Sequence, residues 1–146
     1  MATFRKDIVI HRSARDVWRV AGRPELLHLW FPGIVDCAVD GNTRTITMAS
    51  GISMPEEILT NDSLQRRFQY RITAAIVRQH LATLDVIALD DASCIVVYST
   101  DADPDVMALV IGAATGDALI ELKRQFELDA GAAVDATRPG ELEDVR

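Results

Sequence analysis

The chain has 146 residues, 49% of them hydrophobic and 25% charged, and a formal net charge of −7. That length suits one domain with its own core, and the balance is that of an ordinary globular protein. The acidic surplus and the lack of a basic stripe exclude a nucleic-acid surface, and Arg66-Arg67 and Lys123-Arg124 read as solvated pairs.

The first strand is expected over Thr3 to His11, with Ile8 and Ile10 on one face. Ser13 reads as a helix N-cap, and Asp16 three residues on can reach back to the cap amide. Val17, Trp18 and Ala21 supply the apolar stripe of this first helix, and Gly22 ends it in a left-handed conformation. Pro24 opens a second short helix with Leu26, Leu27, Leu29 and Trp30 on its flank; Pro32-Gly33 closes it.

From Ile34 the pattern turns to strands. Ile34 to Val39 and Thr43 to Ala49 flank an Asp40-Gly41-Asn42 hairpin turn. Ser53 to Thr60 is the next strand, with Pro55 arguing for an edge or a bulge. Gln65 to Thr73 alternates, with Phe68, Tyr70 and Ile72 on one side and Arg67, Gln69 and Arg71 on the other. His80 to Leu89 and Ser93 to Thr100 follow, joined at Asp90-Asp91. Asp103-Pro104 then starts a long helix reaching Leu128, with Met107, Ile111, Ala114, Ala118, Leu122 and Phe126 on one face. Residues 130–146 are rich in Ala, Gly and acids and read as a flexible acidic tail to a single domain over residues 1–129.

This order of elements resembles the START-like, Bet v 1-like helix-grip superfamily. Within it the chain is similar to the polyketide cyclase/dehydrase and lipid-transport group. The resemblance is carried by Val17-Trp18, by Leu29-Trp30-Phe31-Pro32, by the Pro55-Glu56-Glu57-Ile58-Leu59 stretch leading to Phe68-Gln69-Tyr70-Arg71-Ile72, and by Leu119-Ile120-Glu121-Leu122-Lys123. Gly41 and Arg44 stand near the group's Gly-x-Arg step but out of its usual register. The fold so implied is α+β: a curved antiparallel sheet of about seven strands wrapped around a long C-terminal helix, with two short helices after the first strand and an apolar cavity between sheet and helix.

Strand parity places Phe68, Tyr70, Leu84, Val86 and Tyr98 on the inner wall, together with Trp30, Phe31, Ile58, Met107 and Ile111, as the expected ligand-binding residues. His80, Tyr70 and Glu57 are the candidates for proton chemistry. Adjacent Glu56 and Glu57 point to opposite faces; parity leaves open which is inward, and Arg67 or Arg71 could pair with the buried one. Gly112 and Gly116 each cost about 1 kcal/mol in a helix relative to Ala, which close packing, cavity volume or a dimer face could explain. Three scattered histidines and two distant cysteines, Cys37 and Cys94, offer no metal-ligand spacing, so no metal or cofactor is expected and the thiols are expected to be unpaired.

The N-terminus does not read as a signal peptide, and the apolar run Val106 to Ala114 is too short to span a bilayer, so the expected location is the cytoplasm. The expected function is binding of a small hydrophobic or amphipathic ligand: a lipid, polyketide or aromatic metabolite. A cyclase- or dehydratase-like enzyme acting in the same cavity and a dimeric regulatory module are the alternatives.

Overall fold

The computed structural model describes residues 1–127. The residue 1–129 boundary and the acidic tail at 130–146 therefore lie outside the described residues, as does Leu128. Seven strands form one antiparallel sheet: β1 (Ala2–Ile10), β2 (Ile34–Asp40), β3 (Thr43–Met48), β4 (Ser53–Asp62), β5 (Arg67–Ile72), β6 (Gln79–Asp90) and β7 (Ser93–Asp103). Their order is β1-β7-β6-β5-β4-β3-β2. Every neighbour is a hairpin partner except the first and last strands, which pair with each other. The helix α1 (Ala14–Ala21) and a 3-10 helix (Pro24–Leu29) carry the chain from one edge of the sheet to the other. The long helix α2 (Asp105–Glu127) closes the structure, packing on β1 and β7. This is the helix-grip fold.

Local chemistry sets the helix ends. The Ser13 hydroxyl accepts from the Asp16 N–H at 3.1 Å, as an N-cap should. The Asp16 carboxylate does not reach back to the cap; it pairs with Arg12 and Arg19 instead. Gly22 is not left-handed, with φ at −84°. Its role is steric: a Cβ there would lie 2.4 Å from the Trp18 ring. Val17 is the fully buried residue of α1, while Trp18 is half-buried over Gly22. In the β2–β3 hairpin, Asp40 pairs with Thr43 and Gly41 takes a φ of +58°, a conformation cheap only for residues such as Gly and Asn.

Pro55 sits in an interior strand, not at an edge of the sheet. Its carbonyl accepts from the Thr73 N–H at 3.1 Å, so its missing donor faces the β5 side. The β4–β5 ladder ends one residue away, at Glu56 and Ile72, so the missing N–H falls where no ladder partner is needed. The bulge in β4 lies further on, between Ile58 and Thr60.

The buried line of α2 runs through Ala108, Gly112, Thr115, Leu119 and Leu122, with Ala118 beside it. The face expected from sequence is borne out at Ala118 and Leu122, while in the first half of the helix it ran one position earlier, and its members Met107, Ile111 and Ala114 are half-buried. Small residues set the contact line because they let the helix axis approach β1. A Cβ on Gly112 would come within 2.3 Å of the Phe4 ring and 2.8 Å of the Phe4 Cβ, whereas one on Gly116 would meet only the flexible Lys6 side chain, at 3.3 Å. The two glycines therefore separate in a denaturation experiment. Gly112→Ala is expected to lose about 1–2 kcal/mol, overpacking outweighing the helix-propensity gain. Gly116→Ala is expected to gain up to about 1 kcal/mol. Equal urea midpoint shifts in the two variants would contradict this packing. Gly112 is thus occupied within the chain by Phe4.

Among the described residues no helix is long and apolar enough to cross a membrane. Cys37 and Cys94 are both free thiols, the second fully buried.

Candidate ligand-binding site

The concave face of the sheet is built by alternation. Phe68, Tyr70 and Ile72 on β5, Ala82, Leu84 and Val86 on β6, and Val96 and Tyr98 on β7 all point inward and are buried. Trp30 and Phe31, following the 3-10 helix, cover one end of this wall. The Trp30 ring lies 6.4 Å from the Tyr98 ring and 6.2 Å from the Phe31 ring, tilted contacts of the kind aromatic pairs favour. Ile58 is partly buried against the same core, at the β4 bulge.

Into this apolar surface the fold sets a polar cluster. Arg44 on β3 is 1% exposed and Glu56 on β4 is 3% exposed. The two residues are register partners on neighbouring strands. Arg44 Nε donates to Glu56 Oε2 at 2.6 Å, and Nη1 makes a longer contact of 3.4 Å with the Pro24 carbonyl. Nη2 lies 2.6 Å from the same carboxylate oxygen but without hydrogen-bond alignment. The guanidinium carbon stands over the Tyr70 ring at 4.6 Å and the Phe68 ring at 5.3 Å, a cation–π seat for a charge shielded from water. Burial pushes the Glu56 carboxyl up from its ordinary pKa, while Arg44 pulls it down. Burial likewise opposes the Arg44 charge, and Glu56 outweighs it.

Glu56 is thus the inward glutamate. Glu57 faces out and pairs with Arg71, its cross-strand neighbour, so it leaves the set of residues that could move protons inside. Arg67 pairs outside with Asp85. The partner of the inward carboxylate is therefore on β3 and not on β5. Sequence reasoning missed Arg44. Its signal was parity, because Arg44 shares a face with Ile46 while Thr45 and Thr47 take the other.

Tyr70 and Tyr98 meet at the centre, with their hydroxyl oxygens 2.5 Å apart. Burial is the main cause that raises both phenols, Tyr98 to about 12 and Tyr70 well above its usual value. Both therefore stay protonated near neutrality. His80 stands beside Tyr70 with ring centroids 5.8 Å apart. Its Nδ1 accepts from the Ile72 N–H at 2.9 Å. The β5–β6 ladder has ended two residues earlier, at Tyr70 and Ala82, so the imidazole takes the place of a strand carbonyl. A backbone N–H can only donate, so the ring proton of the neutral His80 is on Nε2. Burial lowers the His80 pKa to about 4, against a smaller opposing pull from Asp101. At neutral pH His80 is a hydrogen-bond donor to the interior and not a ready base.

His80 also touches the outside. It shares a depression of about 440 Å³ with Ile72, Thr73, Val77 and the rim arginines Arg71 and Arg78. Arg78 is clamped by two hydrogen bonds to Asp103. Met107 and Ile111 lie half-buried on α2, beside its contact line. No group of metal-binding side chains occurs among the described residues.

The family described as polyketide cyclase/dehydrase and lipid transport matches residues 1–133. The chain belongs to this family. No curated protein sequence matches it. Among solved structures, the XoxI protein of Bacillus cereus is 24% identical with a TM-score of 0.84, over 90% of this chain and 99% of that one. The two-domain aromatase/cyclase BexL of the BE-7585A biosynthetic pathway is 18% identical with a TM-score of 0.75, over 89% of this chain and 48% of that one. Norcoclaurine synthase of Thalictrum flavum, solved with dopamine and hydroxybenzaldehyde, is 21% identical with a TM-score of 0.62, over 83% of this chain and 85% of that one. At these identities the likeness is one of fold. In this member of the polyketide cyclase/dehydrase and lipid-transport family, the interior carries the Arg44–Glu56 pair lying against Tyr70.

Proposed function

We propose that this family member binds a small hydrophobic or amphipathic molecule between the concave sheet and α2, with Trp30, Phe68, Tyr70 and Tyr98 as its aromatic walls. The observation that carries the reading is the buried polar cluster. A buried ion pair adds little to stability over well-packed apolar side chains, because desolvation offsets the attraction. Arg44 and Glu56 in this interior are therefore better explained by recognition than by folding. The walls are closed, Trp30 and Tyr98 being 2% exposed, so binding is coupled to opening. Native mass spectrometry of the protein as purified, followed by solvent extraction, is expected to show a retained organic molecule. A chain that carries no guest, and whose thermal midpoint is unmoved by any of a broad panel of apolar and amphipathic compounds, would refute the proposal.

A second reading, an enzyme of the cyclase or dehydratase type acting in the same interior, is favoured by one contact. The Tyr70 and Tyr98 hydroxyls stand within hydrogen-bond reach of each other beside Arg44. Such a pair can pass a proton to a bound substrate. Turnover that survives Tyr70→Phe and Tyr98→Phe unchanged would remove this reading and leave the binding one.

A further inference from the structure

Two unpartnered surfaces meet along one side of the molecule. The first is the free edge of β1, which has β7 on one side and no strand on the other. The C-terminal turn of α2 covers one end of that edge: Lys123 Nζ donates to the Val9 carbonyl at 2.6 Å, and the His11 N–H donates to Glu127 Oε1 at 2.8 Å. Backbone groups alternate along a strand, so those of Thr3, Arg5 and Asp7 face the same way as the Val9 carbonyl. Among the described residues no hydrogen bond from outside the sheet reaches the backbone of Arg5 or Asp7. The second surface is a flank of α2. No charged residue occurs from Val106 to Gly116, and Val106, Leu109, Val110 and Ile120 are each more than half exposed. A helix that is apolar on every side is ordinarily covered on every side. At about 3.6 residues per turn, Leu109, Ala113 and Ile120 lie on the flank of Gly116, which borders Lys6 of β1. The apolar flank therefore hangs over the strand edge, and Phe4, Lys6 and Ile8 form with Ala113, Gly116 and Ile120 a depression of about 350 Å³.

We propose that a second copy of this chain covers both surfaces, β1 pairing antiparallel with its symmetry mate so that the two α2 helices lie side by side across a two-fold axis. The sequence of the edge selects the register. Centred on Lys6, the segment Phe4-Arg5-Lys6-Asp7-Ile8 sets Arg5 opposite Asp7 and Phe4 opposite Ile8, each twice by symmetry. Arg5 and Asp7 are exposed and face Ser99 and Val97 on β7, so neither has an ionic partner across its own sheet. Both carry edge-facing backbone groups, so the opposed residues also exchange hydrogen bonds. Centring on Arg5 or on Asp7 instead sets like charges on the axis and pairs no opposite ones. In the chosen register Lys6 meets its own mate, a repulsion that limits affinity. Its ammonium is drawn aside, 5.0 Å from the Phe4 ring of the same chain. The occupant is a copy and not a lipid surface, because the net charge of −7 opposes anionic headgroups and a strand edge with charges of both signs is matched by another strand. The contact is separate from the interior and does not depend on a guest.

Sedimentation equilibrium of the full chain, from micromolar to millimolar concentration, tests this. A monomer–dimer equilibrium is expected, with the Arg5 and Asp7 amides gaining protection from hydrogen exchange as concentration rises. Arg5→Glu and Asp7→Arg should each weaken the dimer about tenfold, since each turns two attractive pairs into repulsive ones. The two together rebuild the opposite pairs and should return affinity to within about threefold of the parent. Lys6→Thr should tighten the dimer about fivefold by removing the repulsion on the axis, and Ile120→Glu should weaken it. All four side chains are exposed, so the urea midpoint of each monomer should stay near that of the parent. A parent that remains monomeric at millimolar concentration would overturn the proposal, as would a dimer indifferent to the charge reversals or not restored by the pair of them. A monomer that floats with phosphatidylcholine vesicles, and no longer does so as Ile120→Glu, would give the apolar flank to lipid and overturn it too.

Discussion

Arg44→Met is expected to destabilise the protein by about 3–5 kcal/mol, because it strands a carboxylate that the fold has taken out of water. Glu56 is 3% exposed, and its side-chain hydrogen bond comes from Arg44. Without the guanidinium, Glu56 must stay charged in an apolar interior or take up a proton. Burial already raises its pKa, and loss of Arg44 raises it further. A carboxyl whose folded pKa exceeds the unfolded value favours folding below that unfolded value and loses the benefit as pH rises through the folded one. The variant should therefore be less destabilised at pH 5 than at pH 8. Arg44→Met combined with Glu56→Leu should recover much of the loss, since two apolar side chains leave nothing unpaired. Urea denaturation of the parent, both single variants and the double variant closes the cycle. A double variant as unstable as the sum of the singles would show that the two residues are not a coupled pair.

The second large effect is a loss of stability in mild acid that belongs to His80. Its folded pKa of about 4 lies below the ordinary 6.5. Between those values the unfolded chain holds a proton that the folded chain refuses, so stability falls as pH falls through the window. The expected loss is about 2 kcal/mol at pH 5 and about 3 kcal/mol at pH 4, relative to neutral pH. Protonation has two structural costs: it buries a charge next to Tyr70, and it places a second proton on Nδ1, where the Ile72 N–H now donates. Asp101 opposes the effect only in part. Exposed carboxylates add their own acid dependence. Glu121, held near 2 by hydrogen bonds from Arg124 and Gln125, is one whose stabilisation is kept over this range. His80→Gln retains an acceptor for Ile72 without the titration, so the difference between parent and variant isolates the imidazole. The same slope between pH 7 and pH 5 in both proteins would sink the assignment.

Both effects arise from residues whose surroundings could be read only in part from the sequence. Alternation on β5 and β7 marked Phe68, Tyr70 and Tyr98 as inward, and the structure buries all three. Parity on β4 could not choose between Glu56 and Glu57, because a strand pattern says that neighbours oppose each other and not which face is the core. The choice is made by cross-strand partners: Arg44 meets Glu56 and Arg71 meets Glu57. Trp30 was visible as an aromatic before a proline, but its contact with Tyr98 joins residues from distant parts of the chain. His80 was legible as a candidate for proton chemistry; that its Nδ1 would cap a strand N–H depends on where the β5–β6 ladder stops.

What the sequence determined alone is local. The Ser13 cap, the Gly41 turn, the order of strands and helices, and the inward parity of β5, β6 and β7 follow from cap chemistry, glycine's backbone freedom and periods of two and 3.6 residues. What only the tertiary structure decided is relative placement. The first half of helix α2 seats on Ala108 and Gly112 and not on the larger Met107 and Ile111 one position back, because close approach to Phe4 wins over apolar bulk. Arg44 becomes the partner of Glu56, and the Tyr70 hydroxyl meets that of Tyr98, because strand register brings distant residues face to face and no local pattern encodes that register.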